Sequence, residues 1–278
     1  NEGPLLQRYL RLKWFTSRNY IADWWEKYVY LRGRSPIPIN SNYYVMDGAG
    51  SPPTELQTAR AANLVHGVMQ FHRLLARDQL PPTLIRGLVP LCMDQYRRLF
   101  STNRVPGRDC DHIKHWGSRR SKHIVVWCGG YFFHFPLYLR GRLLAPWQIE
   151  IQLERVMKWV SSVPPPPDHE RHLAALTGWQ RTRWAEAREE CFAEGVARRS
   201  LEVVESALFH LVLDDARPAT RTEQARLLFH GCGFNRWFDK SFTVVVFGNG
   251  KAGLNAEHAW ADAPVVAHLW EHTLVTEW

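Results

Sequence analysis

The stretch that decides the fold reads SFTVVVFGNGKAGLNAEHAWADA and covers residues 241–263. Residues 243–247 form a continuous run of β-branched and aromatic side chains, which predicts a strand buried on both faces. Asn249 and Gly250 are a favoured pair for a hairpin turn, so residues 252–258 are predicted to return as the partner strand. The stretch therefore predicts a buried β-hairpin.

The end of this stretch predicts the start of a helix. Aspartate is a good N-cap residue and proline fits the first helical turn, so Asp262 and Pro264 mark the boundary. His258 then lies where the hairpin passes into the helix, a position that can hold a side chain rigidly beside a cleft. Position alone favours a structural role for this histidine. Glu257 precedes it on the strand and points to the opposite face, so we expect a structural role for Glu257 as well.

Hydrophobic periodicity along the rest of the chain predicts several helices and a second hairpin. Helices are expected within residues 5–29, 54–80, 145–162 and 220–233. Thr54 is the expected N-cap of the second of these helices. The second hairpin is expected within residues 121–139, where two apolar runs flank Gly129 and Gly130. Residues 36–47 are expected to be extended, because two prolines disfavour helix there. This mixture indicates an α/β or an α+β fold.

Composition places the chain among folded globular proteins. It has 278 residues, enough for one large domain or two smaller ones, with 45% hydrophobic and 22% charged residues. No apolar run approaches the roughly 20 residues that cross a bilayer. The net charge of +8 fits an anionic partner or simply a solvated basic surface. No nucleic-acid motif accompanies the charge, so we expect no nucleic-acid partner.

The cysteines argue against two kinds of site. Five cysteines at irregular spacing do not suit a secreted disulfide framework and indicate a reducing compartment. Cys110, His112 and His115 form a local group of metal-ligand types. No second pair of ligands follows at a zinc-finger spacing, so we expect structural roles for these residues and no metal site.

A longer composite pattern surrounds the opening hairpin. Its elements are Arg236-Trp237, Asp239-Lys240, the apolar strand, Asn249-Gly250, Glu257-His258 and the acid at Asp262. Together they resemble the second signature of the choline/carnitine acyltransferases. Residues 22–47, 101–111 and 172–188 also resemble the palmitoyl-specific members of that family, so the resemblance covers nearly the whole chain.

The resemblance implies an α/β fold in which helices surround a central mixed sheet. Members of the family consist of two similar halves that enclose an active-site tunnel for a coenzyme A thioester. Residues 1–278 are expected to be the amino-terminal half of the catalytic region, truncated before the carboxy-terminal half. The missing half is therefore an expected partner, and it would supply most of the coenzyme A contacts.

The implied reaction moves a long acyl group between coenzyme A and the hydroxyl of L-carnitine. His258 is the expected general base, because a histidine pKa lies near the working pH and the proton can later go to the departing thiolate. Asp262 stands where several relatives have Glu; it is expected to orient the site or pair with a cation, and a role as helix cap fits equally well. No bound cofactor is expected, and no nucleophile-elbow GxSxG is present.

Trp25 and Tyr30 fall where relatives line the carnitine pocket. An aromatic wall attracts a trimethylammonium group through cation–π contact. Packing in a helix core explains the two residues equally well, and both interpretations stay open. Arg236, Asp239 and Lys240 are expected to be structural, since charged residues beside a buried strand commonly pair.

The resemblance also implies a setting for the whole protein. Long-chain acyl transfer to carnitine would feed mitochondrial fatty acid oxidation from the cytosolic face of the mitochondrial outer membrane, with the endoplasmic reticulum as the alternative location. Membrane association is expected only through segments absent from this sequence. The alternative function is a sensor that binds long-chain acyl-CoA or malonyl-CoA with little turnover; malonyl-CoA could also act as an inhibitor. Residues 1–278 alone are expected to be inactive and to expose apolar surface.

Overall fold

A six-stranded mixed sheet lies at the centre of the computed structural model, which describes residues 2–48 and 50–277. The α-helices are α1 (Gly3–Thr16), α2 (Ala22–Trp25), α3 (Ile37–Asn40), α4 (Gln57–Ala76), α5 (Pro146–Ser162), α6 (Asp168–Arg171), α7 (Arg181–Cys191), α8 (Gly195–Ser206), α9 (Arg221–Phe229) and α10 (Ala263–Thr276). A π-helical turn covers Glu26–Leu31, and 3-10 turns cover Asp94–Arg98 and Leu173–Gly178. The strands are β1 (Tyr43–Met46), β2 (Leu84–Ile85), β3 (Val89–Pro90), β4 (Thr102–Val105), β5 (His112–His115), β6 (His123–Cys128), β7 (Tyr131–Pro136), β8 (Tyr138–Leu139), β9 (Arg142–Leu143), β10 (His210–Asp214), β11 (Phe242–Phe247) and β12 (Ala252–Ala256).

The central sheet has the strand order β1-β12-β11-β10-β6-β7. Strands β6, β10 and β11 run parallel to one another, while β1, β12 and β7 pair antiparallel with their neighbours. Parallel strands need long connections, and here helices α5 to α8 lie between β6 and β10 and α9 lies between β10 and β11. This arrangement confirms the α/β class and the central mixed sheet.

The opening hairpin is confirmed, although its turn is one residue longer than the predicted pair. Strands β11 and β12 are joined through Gly248, Asn249 and Gly250, and the Phe247 N–H donates to the Lys251 carbonyl at 2.9 Å. Only Gly250 among the three has a positive φ, of 78°. A type I turn followed by one left-handed residue is a common three-residue hairpin loop. The glycine is therefore needed at the third loop position.

Strand β11 is buried on both faces, as its continuous apolar run predicts. Val244 and Val246 belong to the main hydrophobic core, which includes residues of α4, α5 and α10. Val245 and Phe247 point to the other face and pack with Leu228 of α9. The period-2 alternation of a strand divides one apolar run between two cores.

Two local predictions are wrong. Helix α4 begins at Gln57, and the Thr54 hydroxyl instead accepts a hydrogen bond from the Leu56 backbone N–H at 3.1 Å. Ile37–Asn40 form one helical turn although Pro38 lies within it, because a proline in the first turn has no intrahelical N–H bond to lose. The extended prediction holds only for the residues that form β1.

The described residues contain no helix that is both long and apolar enough to pass through a bilayer. The longest helix, α4, carries several buried residues and packs against α5, α10 and the sheet. Its apolar side chains are thus used in the protein core.

Candidate active site

His258 lies just past the end of β12, where the hairpin passes toward α10. The Tyr30 ring stacks on its imidazole with the ring centroids 4.9 Å apart and an interplanar angle of 25°. Tyr43 of β1 meets the same ring edge-on, also at 4.9 Å, with an angle of 71°. The imidazole is half-buried, and its Nδ1 is enclosed with no hydrogen-bond partner among the described residues. Two tyrosines therefore clamp one histidine at the edge of the sheet.

Tyr30 comes from an irregular helical segment. Helix α2 ends at Trp25 and continues into the π-helical turn Glu26–Leu31, a conformation that is rare and frequent at functional sites. The carboxylate of Glu26 binds Arg98 through two hydrogen bonds, which fixes the start of the turn. Burial raises the pKa of Tyr30, the negative charge of Asp262 adds to the shift, and the neighbouring Trp25 acts in the opposite direction.

Of the two predicted carnitine-pocket residues, Tyr30 contacts His258 directly, and Trp25 lies at the end of α2, just before the π-helical turn. Tyr30 is half-buried, whereas 54% of Trp25 is exposed, so packing in a helix core does not account for Trp25. The exposed Trp25 side chain adjoins Tyr30, the tyrosine that touches His258. The sequence did not single out Tyr43, which would have required knowing that β1 pairs with β12.

Asp262 occupies the N-cap position of α10, but its side chain makes no capping hydrogen bond. Its carboxylate instead accepts a hydrogen bond from Gln95 Nε2 at 3.3 Å, and its backbone N–H donates to Gln95 Oε1 at 3.2 Å. The side chain is exposed and forms no ion pair among the described residues. Helix capping by the Asp262 carboxylate is therefore wrong, and the proposed orienting role stays a prediction.

Glu257 points into the protein interior, in agreement with its expected structural role. It is fully buried, and its Oε1 accepts a hydrogen bond from Arg104 Nη1 at 2.8 Å. Its Oε2 accepts from the backbone N–H of Ala259 at 2.9 Å. These bonds fix the main chain on both sides of His258, the residue between them.

A buried network of charges continues behind this pair. Asp111 Oδ2 accepts hydrogen bonds from Arg104 Nε and Arg181 Nε, each at 2.7 Å, and Arg34 approaches its Oδ1 at 3.0 Å. Burial alone would raise the pKa of Asp111, but Arg181 and Arg104 outweigh it and hold the pKa below the ordinary value. The sequence offered no signal for this network, because its members come from separate elements.

The charged residues at the start of the composite pattern are also interior. Arg236 Nη1 donates to the Leu228 carbonyl at 2.7 Å, and Asp239 pairs with Arg181 at 2.7 Å. Lys240 is buried and its Nζ donates to the Glu205 carbonyl at 2.8 Å. These three charged residues at the start of the pattern are held inside the fold, as their expected structural role requires.

Lys240 gives a prediction for the pH dependence of stability. Burial lowers its pKa from 10.5 to about 7, and the Glu205 charge opposes the shift. Between these two pH values the unfolded state binds more protons than the folded state, so the lysine's contribution to stability rises with pH and is lost as pH falls toward 7. Between pH 7 and 9, the free energy of unfolding of wild type should rise by about 1 kcal/mol per pH unit relative to that of Lys240→Met. Thermal unfolding of both proteins across this range would measure the difference. A constant difference across this range would contradict the prediction.

The candidate metal ligands do not assemble. Among the described residues, no group of three or more His, Cys, Asp or Glu side chains could hold a metal ion. All five cysteines are free, and Cys110 donates its thiol to the Asp111 carbonyl at 3.4 Å. The Cys110 thiol is thus engaged in a hydrogen bond with the neighbouring residue.

Comparison with known proteins identifies a protein family that matches this chain. A family model described as Choline/Carnitine o-acyltransferase matches residues 1–278. The human Carnitine O-palmitoyltransferase 1, liver isoform, is 47% identical over 98% of this chain, and the human muscle isoform is 45% identical over 99%. The chain spans 36% of the length of each relative. Among solved structures, a chloramphenicol acetyltransferase aligns with a TM-score of 0.36 at 7% identity, covering 89% of this chain and 91% of its own.

Proposed function

The chain belongs to the choline/carnitine O-acyltransferase family, and on that premise we propose that its protein transfers palmitoyl and similar long acyl groups between coenzyme A and L-carnitine. The observation that carries this proposal is the half-buried His258, clamped by Tyr30 and Tyr43 where β12 ends. A rigid, partly open imidazole beside aromatic rings suits proton transfer to a hydroxyl substrate.

The reaction needs one base that works in both directions. The carnitine hydroxyl loses its proton to His258 as its oxygen forms a bond to the thioester carbonyl carbon. The bond between that carbon and sulfur then breaks, and the same proton passes from His258 to the coenzyme A thiolate. Because Nδ1 is enclosed, we assign both proton transfers to Nε2. No acyl-enzyme forms, and Asp262 would orient the site through its link to Gln95.

The carnitine trimethylammonium group would lie against Trp25 and Tyr30. Cation–π contact at an exposed indole is worth about 0.5–1 kcal/mol, so Trp25→Ala is expected to raise the KM for carnitine by about two- to fivefold. Trp25→Phe keeps an aromatic face and should stay close to wild type. Steady-state kinetics in carnitine would check this, and an unchanged KM in Trp25→Ala would remove the residue from the pocket. Trp25 is the cleaner choice because Tyr30 also touches His258.

Several further properties follow from the proposal. Residues 1–278, which span 36% of the relatives' length, would be the amino-terminal half of the catalytic region, and this segment alone would have no turnover because the tunnel would need both halves. We propose the mitochondrial outer membrane, with the active site on the cytosolic face, as the location, and the endoplasmic reticulum as its alternative. Malonyl-CoA would be a candidate inhibitor.

The test is the product formed by the complete protein from palmitoyl-CoA. Mass spectrometry should detect palmitoylcarnitine when carnitine is supplied and little palmitoylcholine when choline is supplied. Binding of palmitoyl-CoA or malonyl-CoA without product would favour the sensor. Transfer to choline in preference to carnitine would keep the family chemistry and overturn the proposed acceptor.

A further inference from the structure

Arg104 is a buried cation in β4 whose guanidinium binds three separate segments of the chain. Only 2% of the residue is exposed. Its Nε donates to Asp111 at 2.7 Å and its Nη1 donates to Glu257 at 2.8 Å. Its Nη2 donates to the backbone carbonyl of Tyr30 at 2.9 Å. The planar group thus links β4 to the π-helical turn and to the end of β12.

Two of these three partners flank His258. Glu257 precedes it in the chain, and the ring of Tyr30 stacks on its imidazole. The Glu257 carboxylate also binds the Ala259 N–H, so the Arg104 contact holds the main chain around the histidine. A shift of Arg104 would therefore move both the histidine and the ring that stacks on it.

We propose that Arg104 is the positioning residue for His258, because it binds at once the segment that carries the imidazole and the segment that carries the stacking Tyr30. The hydrogen bonds of Arg104 do not involve the His258 imidazole or the Tyr30 ring. Arg104 therefore acts only through the two segments that carry these rings. The expected effect of Arg104 on kcat rests on the proposed acyl transfer. Its expected effect on the placement of His258 does not depend on that function.

The geometry requires arginine in particular. A guanidinium is flat and rigid and donates in several fixed directions, whereas a lysine ammonium is a point charge on a flexible stem. Asp111 braces the group from the far side, since it also binds Arg181 at 2.7 Å. Burial lowers the pKa of Arg104, but Glu257 and Asp111 outweigh it and raise the pKa above the ordinary value. The cation is thus permanently charged and held on both sides.

The test compares Arg104→Lys with Arg188→Lys in the complete protein. Arg188 also forms a pair of hydrogen bonds with a buried carboxylate, that of Glu205, and makes no hydrogen bond to Tyr30 or Glu257 within the described chain. Both variants keep the positive charge and lose the planar guanidinium with its several donors, so both should lose some stability. Only Arg104→Lys should disturb His258.

Two readouts separate positioning from general stability. With saturating palmitoyl-CoA and carnitine, kcat of Arg104→Lys should fall about 100-fold, the effect of misplacing a reacting group by about 1 Å, while the KM for palmitoyl-CoA stays near wild type. Carbethoxylation of His258 by diethylpyrocarbonate, followed by peptide mass spectrometry, should become severalfold faster because the stack loosens. Arg188→Lys should match wild type in both.

The outcomes distinguish the two proposals. Wild-type kcat and wild-type labelling of His258 in folded Arg104→Lys would overturn the positioning role. Faster labelling of His258 in Arg104→Lys, together with no palmitoylcarnitine from the wild-type protein, would support positioning and reject the proposed function. If Arg104→Lys does not fold, Glu257→Gln tests the same link, because it removes the charge and replaces one of the two accepting oxygens with an NH2 group, so the bond to Arg104 or the bond to Ala259 is lost. Unchanged labelling in Glu257→Gln would then overturn the inference.

Discussion

Replacing Asp111 with Ala is expected to lower the free energy of unfolding by about 3–5 kcal/mol, the cost of leaving a buried charge without its partner. The carboxylate accepts hydrogen bonds from Arg104 and Arg181, which are 2% and 0% exposed. Removing it leaves two guanidinium groups in the interior with one fewer negative charge. In wild type both groups bind the same Asp111 oxygen at 2.7 Å, and without it each keeps only one carboxylate partner among the residues described, Glu257 for Arg104 and Asp239 for Arg181.

Asp109 provides a matched control two residues earlier. Its side chain is exposed and makes no hydrogen bond within the described part of the chain, so Asp109→Ala should change stability by less than about 0.5 kcal/mol. Urea unfolding followed by tryptophan fluorescence would compare the two variants with wild type. Equal midpoints for all three proteins would show that the network contributes no stability at Asp111.

The elements that could be predicted are those whose information is local. The apolar run in β11 fixes a strand buried on both faces, and the glycine-containing loop after it fixes the hairpin. The second hairpin follows for the same reason, since Gly129 and Gly130 both have positive φ. The strand-to-helix junction then places His258 correctly. A continuous apolar run, turn glycines and the Asp262 and Pro264 helix start carry these predictions, and each is read from a few neighbouring residues.

The parts that could not be predicted depend on distant contacts. Arg104 and Glu257 are 153 residues apart in the chain, and no periodicity links them. The bond between Gln95 and Asp262 spans 167 residues. A capping aspartate was a sound local expectation, but Gln95 takes the carboxylate and the helix begins without a side-chain cap. Side-chain competition of this kind is decided by the tertiary fold.

Replacing His258 with Ala is expected to lower kcat for palmitoyl transfer by about 100- to 10,000-fold, the usual contribution of general acid–base catalysis. The fold should survive, because the ring is half-buried and its Nδ1 gives up no hydrogen bond among the described residues. The loss should appear in kcat and leave the KM for palmitoyl-CoA close to wild type, since the base acts in the transition state.

His169→Ala is the control for this substitution. His169 is exposed on α6 and has no part in the proposed site. Its removal is expected to change kcat less than twofold, a difference of about 0.4 kcal/mol that is ordinary for a surface substitution. Circular dichroism and the thermal midpoint of both variants would establish that each is folded before rates are compared.

The most direct test is the initial rate of palmitoylcarnitine formation by the complete protein, measured with saturating palmitoyl-CoA and carnitine for wild type, His258→Ala and His169→Ala. We predict a fast rate for wild type and His169→Ala, and a rate at least about 100-fold lower for folded His258→Ala. A folded His258→Ala protein that makes palmitoylcarnitine at a near-normal rate would contradict the role of His258 as the base.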